Sequence, residues 1–185
     1  LQSCFRDRPA FGSKQFNACT TEEELMQTTT DITQLNSLLR GEMSAIETYR
    51  QAIAKLEQGN DFGASELHAM QKDHADAADA LWHHIEQHGG KPSEGSGPWG
   101  AFAKAVEGTA TLFGDTAALK GLKEGEEHGL KDYQEALNDK NLPADCQALI
   151  RGLMAKQQEH ISVLDRLLER VSSGGYTSSK TTVRY

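Results

Sequence analysis

Cysteine, proline, basic residues and long apolar runs are all in short supply in this chain, and each shortage removes a class of protein. Three cysteines stand at Cys4, Cys19 and Cys146, and no two of them have the close spacing of a zinc or iron–sulfur motif. Cys4 and Cys19 share the N-terminal tail, where they could bridge each other or a neighbouring chain, or remain free thiols. Only 4 prolines occur, so long helices can run uninterrupted. No apolar run approaches the roughly 20 residues needed to span a bilayer, which argues against membrane insertion. Lys and Arg number 19 against 27 Asp and Glu, a net charge of −8. An acidic surface disfavours nucleic acid and anionic membranes as partners. The glycines around Trp99 lack phosphate-loop spacing and follow no strand pattern. The chain begins at Leu1 rather than Met, shows no signal peptide, and is compatible with either a cytoplasmic or a secreted setting.

What the chain does have is an internal repeat. Gly41-Glu42-x-x-x-Ile46-x-x-Tyr49-x-x-Ala52-Ile53 recurs as Gly125-Glu126-x-x-x-Leu130-x-x-Tyr133-x-x-Ala136-Leu137. Each copy is followed by a second matching stretch. Gln71-x-Asp73-His74-x-x-x-x-Asp79-x-Leu81 recurs as Gln157-x-Glu159-His160-x-x-x-x-Asp165-x-Leu167. At 185 residues the chain is one domain, a duplicated helix pair with tails.

Apolar residues at steps of three and four predict four long helices. The first runs from a cap at Thr30 or Asp31 to about Gln58, on Leu35, Leu38, Ile46, Tyr49, Ile53 and Leu56. The second runs from about Asp61 to His88 and stops at Gly89-Gly90. The third spans about Thr116–Asn138. The fourth starts near Pro143 and reaches about Ser172. Residues 1–30 and 173–185 read as N- and C-terminal tails around a bundle at 31–172. Segment 89–115 is a long connection with a short amphipathic piece at Ala101–Phe113. Short loops within each pair and a long link between pairs specify an all-α four-helix bundle with a crossover between helices 2 and 3.

On the apolar lines of those helices sit six polar residues: Glu42, Gln71, His74, Glu126, Gln157 and His160. Burying an unpaired carboxylate costs several kcal/mol. These groups must satisfy one another, a metal ion or buried water. Asp73 and Glu159 turn about 100° away from the adjacent histidines, to solvent or to the edge of the site. Glu127 and His128 would replace Glu126 only if the helix rotated. Tyr49 and Tyr133, one heptad from the glutamates, are read first as ordinary core tyrosines; the alternative is that they hydrogen-bond the site or carry a radical. His84 and His88, one turn apart, either complement the negative end of helix 2 or hold a surface ion.

With these residues in place, the chain resembles the ferritin-like superfamily, rubrerythrin-type di-iron bundles most closely, and also bacterial ferritin-like proteins without an assigned activity. The resemblance covers about residues 31–172. It implies metal ligation by a Glu from helices 1 and 3, matched by Glu42 and Glu126, and by Glu-x-x-His on helices 2 and 4. Here both motifs read Gln-x-x-His, at Gln71/His74 and Gln157/His160. Gln cannot bridge two cations well, so a dinuclear iron site is weakened. One divalent ion on Glu42, His74, Glu126 and His160 is neutral overall and suits iron, zinc or manganese, with Gln71 and Gln157 as weak ligands or hydrogen-bond partners. Without metal, two Glu and two His joined by the glutamines make a balanced buried layer. The favoured expectation is a structural, assembly-forming protein, a homo-oligomer or filament built through its tails, with a degenerate or mononuclear metal site. The alternative is a redox protein, a peroxidase or ferrous-iron oxidase. No Cys-x-x-Cys pair exists to build the rubredoxin-like domain of a full rubrerythrin.

Overall fold

The computed structural model describes residues 22–57, 63–97 and 115–173. They form four helices: α1 (Glu22–Glu57), α2 (Ala64–Gln87), α3 (Asp115–Ala136) and α4 (Ala144–Ser172). Cys4, Cys19, Trp99, the Ala101–Phe113 piece, the Gly59-Asn60 stop and most of both tails lie outside the described residues. Among the described residues, no helix is long and apolar enough to cross a membrane.

α1 begins at Glu22, inside the segment read as tail, and not at a Thr30 or Asp31 cap. The threonines explain the difference. Thr30 Oγ1 donates to the Met26 carbonyl at 3.0 Å and Thr33 Oγ1 to the Thr29 carbonyl at 2.8 Å. Hydroxyls that bond back one turn are satisfied inside a helix and need not start one. The stop after α2 is as expected. Gly89 takes φ 74°, its N–H donates to the Glu86 carbonyl, and the Gly90 N–H donates to the Ile85 carbonyl, both at 2.9 Å. This pair of bonds closes the helix through a left-handed residue that glycine adopts without strain.

α1 packs on α2 and α3, α4 packs on α3 and α2, and the pairs α1/α4 and α2/α3 lie across the diagonals. The end of α2 meets the start of α4 where His88 approaches Asp145 at 3.0 Å. The other ends meet where Arg170 approaches Glu66 at 3.4 Å. α2 and α3 therefore point the same way, and the chain between them must travel back along the bundle. A helix of 24 residues such as α2 is roughly 36 Å long, which explains the long connection. The crossover leaves along α1. Asn36 Nδ2 donates to the Lys91 carbonyl at 3.0 Å, the Ser93 N–H donates to Asn36 Oδ1 at 2.7 Å, and Arg40 donates to Ser93 Oγ at 3.1 Å.

The core is two apolar clusters rather than one. The first gathers Leu35, Leu39, Leu81, Ile85, Cys146 and Ile150 near the α2/α4 junction. The second gathers Ile53, Leu56, Leu67, Leu119, Leu164 and Leu167 at the opposite end. Between them lies a polar layer.

Gly90 is packed where a Cβ would stand 2.7 Å from Ile32 Cγ2 and 2.9 Å from Ile85 Cγ2. Gly90→Ala is expected to lose about 1–3 kcal/mol by urea denaturation, the cost of overpacking. Gly95→Ala, where a Cβ meets nothing within 4 Å, is expected to stay within about 0.5 kcal/mol of wild type.

Candidate metal centre

Each helix contributes one buried carboxylate or imidazole to the layer: Glu42 from α1, His74 from α2, Glu126 from α3 and His160 from α4. His74 is the hub. Its Nδ1 lies 2.7 Å from Glu42 Oε2 and its Nε2 lies 2.9 Å from Glu126 Oε1. Two carboxylates on the two ring nitrogens require a proton on each, so His74 is an imidazolium. His160 Nδ1 stands 3.4 Å from Glu126 Oε1, within ion-pair range but misaligned for a hydrogen bond. His160 Nε2 faces Asp73 Oδ2 at 3.2 Å. The donor atoms of His74, Glu126 and His160 all fall within 4.8 Å of one another. Glu42 stands beyond His74, outside that group.

The tyrosines complete the layer crosswise. Tyr49, from the first repeat, donates to Glu126 of the second. Tyr133, from the second, donates to Glu42 of the first at 2.5 Å. The two glutamates are thus each held by a tyrosine of the other repeat and by His74.

Burial on its own would strip the proton from His74, but Glu42 and Glu126 outweigh it and raise the pKa to about 10. Burial would likewise raise Glu126, but His160 and His74 outweigh it and hold the carboxyl at about 2. Burial and the adjacent carboxylates push Tyr49 and Tyr133 well above the ordinary phenol value, so both remain donors.

The glutamines do not join the imidazoles to the carboxylates. Gln157 Nε2 donates to the Glu126 backbone carbonyl at 3.1 Å. Gln71 is only half buried, and its Nε2 donates to the Ile46 carbonyl at 3.1 Å. The two repeats differ here for a local reason. The repeat aligns Gly129 with Ala45, and a Cβ at Gly129 would come within 2.6 Å of Gln157 Nε2. Glycine lets Gln157 pack inward, whereas the matching helix carries a methyl group at Ala45. Asp73 is drawn to His160 and Lys156, the latter at 3.4 Å, whereas its counterpart Glu159 pairs with Lys156 at the surface. Glu127 and His128 also face outward, toward Lys123 and Asp132.

Two openings reach the layer. A groove between α1 and α3 is lined by small residues, among them Gly41, Ser44, Ala45, Gly125 and Gly129, and reaches Glu42, His74 and Glu126. A polar cleft between α2 and α4, with Asp73, Asp76 and Lys156 at its mouth, reaches His74 and His160.

A second convergence lies at the bundle end, where sequence spacing gave half of it. His84 and His88 meet Asp145 and Cys146, and the donor atoms of all four fall within 4.8 Å of one another. Burial and then the neighbouring His88 lower the pKa of His84, while burial raises the Cys146 thiol to about 11. The adjacency of Asp145-Cys146 to a helix start is visible in the sequence, but its meeting with α2 depends on the antiparallel packing of α2 and α4.

The shifts in the layer fix the pH window of the metal-free protein. A raised His74 contributes stability that is complete below about 6.5 and lost as pH climbs through about 10. A lowered Glu126 contributes stability that is complete above about 4.5 and lost as pH falls toward about 2. Urea midpoints of chelator-treated protein are expected to plateau between pH 4.5 and 6.5. His74→Gln should cost about 3–5 kcal/mol on that plateau and flatten the alkaline limb. An alkaline limb of unchanged slope in His74→Gln would assign that dependence elsewhere.

With the site described, likenesses to known proteins can be placed on it. A family model described as Domain of unknown function (DUF2383) matches residues 30–139, which carry Glu42, His74 and Glu126 but not His160. No curated protein matches the chain. Among solved structures, the chain is similar to the bacterioferritin-related protein from Bacteroides fragilis, a dodecameric thioferritin. The identity is 18%, the TM-score 0.69, and the match covers 85% of this chain and 92% of that one. At that identity the likeness shows the fold, a ferritin-like four-helix bundle. The chain belongs to the DUF2383 family and carries the polar layer described above inside a ferritin-like bundle.

Proposed function

We propose that this protein is a homo-oligomeric, assembly-forming ferritin-like protein whose bundle core takes up one divalent metal ion, held by His74, Glu126 and His160, with Glu42 balancing charge. One observation carries the reading. Glu126 Oε2 and His160 Nδ1 are buried without a hydrogen-bond partner among the described residues, and both residues belong to the group whose donor atoms lie within 4.8 Å of one another. A buried polar atom left unpaired costs about 1–3 kcal/mol, more for a charged one. A cation there would recover that cost on both sides. Two carboxylates against one divalent ion give a neutral site, and mixed imidazole and carboxylate donors suit iron, zinc or manganese. Such an ion supplies Lewis acidity, and iron adds one-electron chemistry. His74 would yield a ring proton on loading, so uptake should strengthen as pH rises.

A two-metal site fits poorly. The positions expected to bridge two ions are Gln71 and Gln157, and both spend their amide N–H groups on backbone carbonyls. Assembly is supported by the thioferritin, which is dodecameric. The terminal segments are proposed as the contacts between subunits. A redox role, as peroxidase or ferrous-iron oxidase, is the second reading. It is favoured by the groove between α1 and α3, which would admit a small oxidant to Glu126.

Elemental analysis of dialysed protein, alongside its molar mass by light scattering, tests the main reading. Glu126→Gln and His160→Ala should each lose about one metal equivalent per chain relative to wild type while keeping their helical signal. A Glu126→Gln protein with unchanged metal and higher stability would overturn the metal reading and leave the layer only its part in helix register. Ferrous-iron oxidation in a single turnover, faster than in His160→Ala, would favour the redox reading.

A further inference from the structure

We propose that His84, His88, Asp145 and Cys146 form a second, tetrahedral site for one thiophilic divalent cation of the zinc class, which clips the end of α2 to the start of α4. His84 Nε2 lies 3.1 Å from Cys146 Sγ and 3.7 Å from Asp145 Oδ2. His88 Nε2 lies 3.0 Å from the same Asp145 oxygen and 4.0 Å from the same sulfur. Around a zinc ion with ordinary bond lengths, tetrahedral donor atoms stand roughly 3.3–3.6 Å apart. The four observed edges straddle that value without any movement of the backbone.

The bland account explains less. A histidine near the end of α2 and an aspartate in the first turn of α4 each complement a helix dipole. That account gives no reason for His84 to turn its ring nitrogen onto a thiol, which is a weak partner. Nor does it explain why both imidazoles converge by Nε2 on one carboxylate oxygen and one sulfur. The donor set is two neutral nitrogens, one carboxylate and one thiolate once its proton leaves, so a divalent cation closes it at zero net charge. Four protein donors leave no open position, which marks a structural rather than a catalytic site. Access is provided from one side: Cys146 is sealed in the core, whereas the Asp145 side chain is 59% exposed and that of His88 29%.

The position gives the ion something to do. α2 belongs to the first repeat and α4 to the second, and their contact is the sparsest seam of the bundle. The crossover leaves the end of α2 two residues past His88, through Gly89 and Gly90. A cation that ties His84 and His88 to Asp145 and Cys146 would fix that exit point and join the repeats where packing contributes least. Binding to the folded state alone then stabilises by mass action.

Cobalt(II) separates this site from the core layer, because the sulfur that touches the layer is the Met70 thioether, against the Tyr49 hydroxyl, and a thioether gives no thiolate charge-transfer band. In full-length protein carrying Cys4→Ser and Cys19→Ser, titration with cobalt(II) should develop a sulfur-to-cobalt charge-transfer band whose amplitude saturates at one thiolate-bound ion per chain, whether or not the core layer also takes up cobalt. Zinc should bleach it. Cys146→Ser should abolish the charge-transfer band. His88→Ala, at a partly exposed position that leaves the fold intact by circular dichroism, should weaken cobalt binding at least ~10-fold, as even supporting groups around a metal do. Zinc should raise the thermal midpoint of the parent by more than that of His88→Ala, in which only the core layer can still take up the ion. Absence of the charge-transfer band in the folded parent would overturn the proposal. So would a band that His88→Ala leaves at full affinity, since cobalt would then be held by the thiol alone.

Discussion

Two carboxylates buried at mid-height of a helical bundle impose most of what is seen around them. Glu42 and Glu126 sit between two apolar clusters, where an ion without partners would be several kcal/mol too costly to keep. Their partners must therefore come from other helices and at one level. His74 supplies a donor to each carboxylate, and Tyr133 and Tyr49 supply one more apiece. A slip of any helix by one turn, roughly 5.4 Å, would leave a charge unpaired. The layer therefore fixes register more strictly than the leucines above and below it, which could repack against one another after a slip.

The same layer requires the topology. Each tyrosine reaches the glutamate of the other repeat, so the two helix pairs must lie face to face with α1 antiparallel to α3. That arrangement leaves α2 and α3 parallel on a diagonal, and only a connection that travels the length of the bundle can join them. The duplication, the crossed tyrosine bonds and the long crossover are thus three consequences of one arrangement.

Much of this was legible in the sequence. The repeat placed Glu42, His74, Glu126 and His160 at equivalent inward positions, and the loop lengths gave the crossover. What escaped was decided by neighbours rather than by pattern. The start of α1 was misplaced because threonine favours both caps and internal back-bonding, and only the Thr30 and Thr33 bonds show which applies. Gln71 and Gln157 lie on the same helical line, yet one is half exposed and the other buried. Gly129 leaves Gln157 the space to pack inward, and the matching position on α1 is Ala45, a single methyl group that no periodicity registers. The pattern leaves Asp73 between solvent and the edge of the site, and its contact with His160 depends on the approach of α2 to α4. The convergence of Asp145 and Cys146 on two histidines depends on the same approach.

These departures from symmetry bear on chemistry. A strictly symmetric layer would give His160 a hydrogen-bonded glutamate at both nitrogens, as His74 has. Instead His160 turns Nε2 toward Asp73, holds Nδ1 in ion-pair range of Glu126 Oε1 without a hydrogen bond, and leaves Glu126 Oε2 without one among the described residues. The unmet hydrogen-bonding capacity is concentrated on the second repeat rather than shared between the two. A pair of ions would call for unmet donors on both halves and for bridging carboxylates at Gln71 and Gln157. A single ion needs a vacancy on one side only and a counter-charge on the other, the part left to Glu42. The broken symmetry of the layer thus supports the proposal of one ion rather than two, on grounds independent of the count of carboxylates.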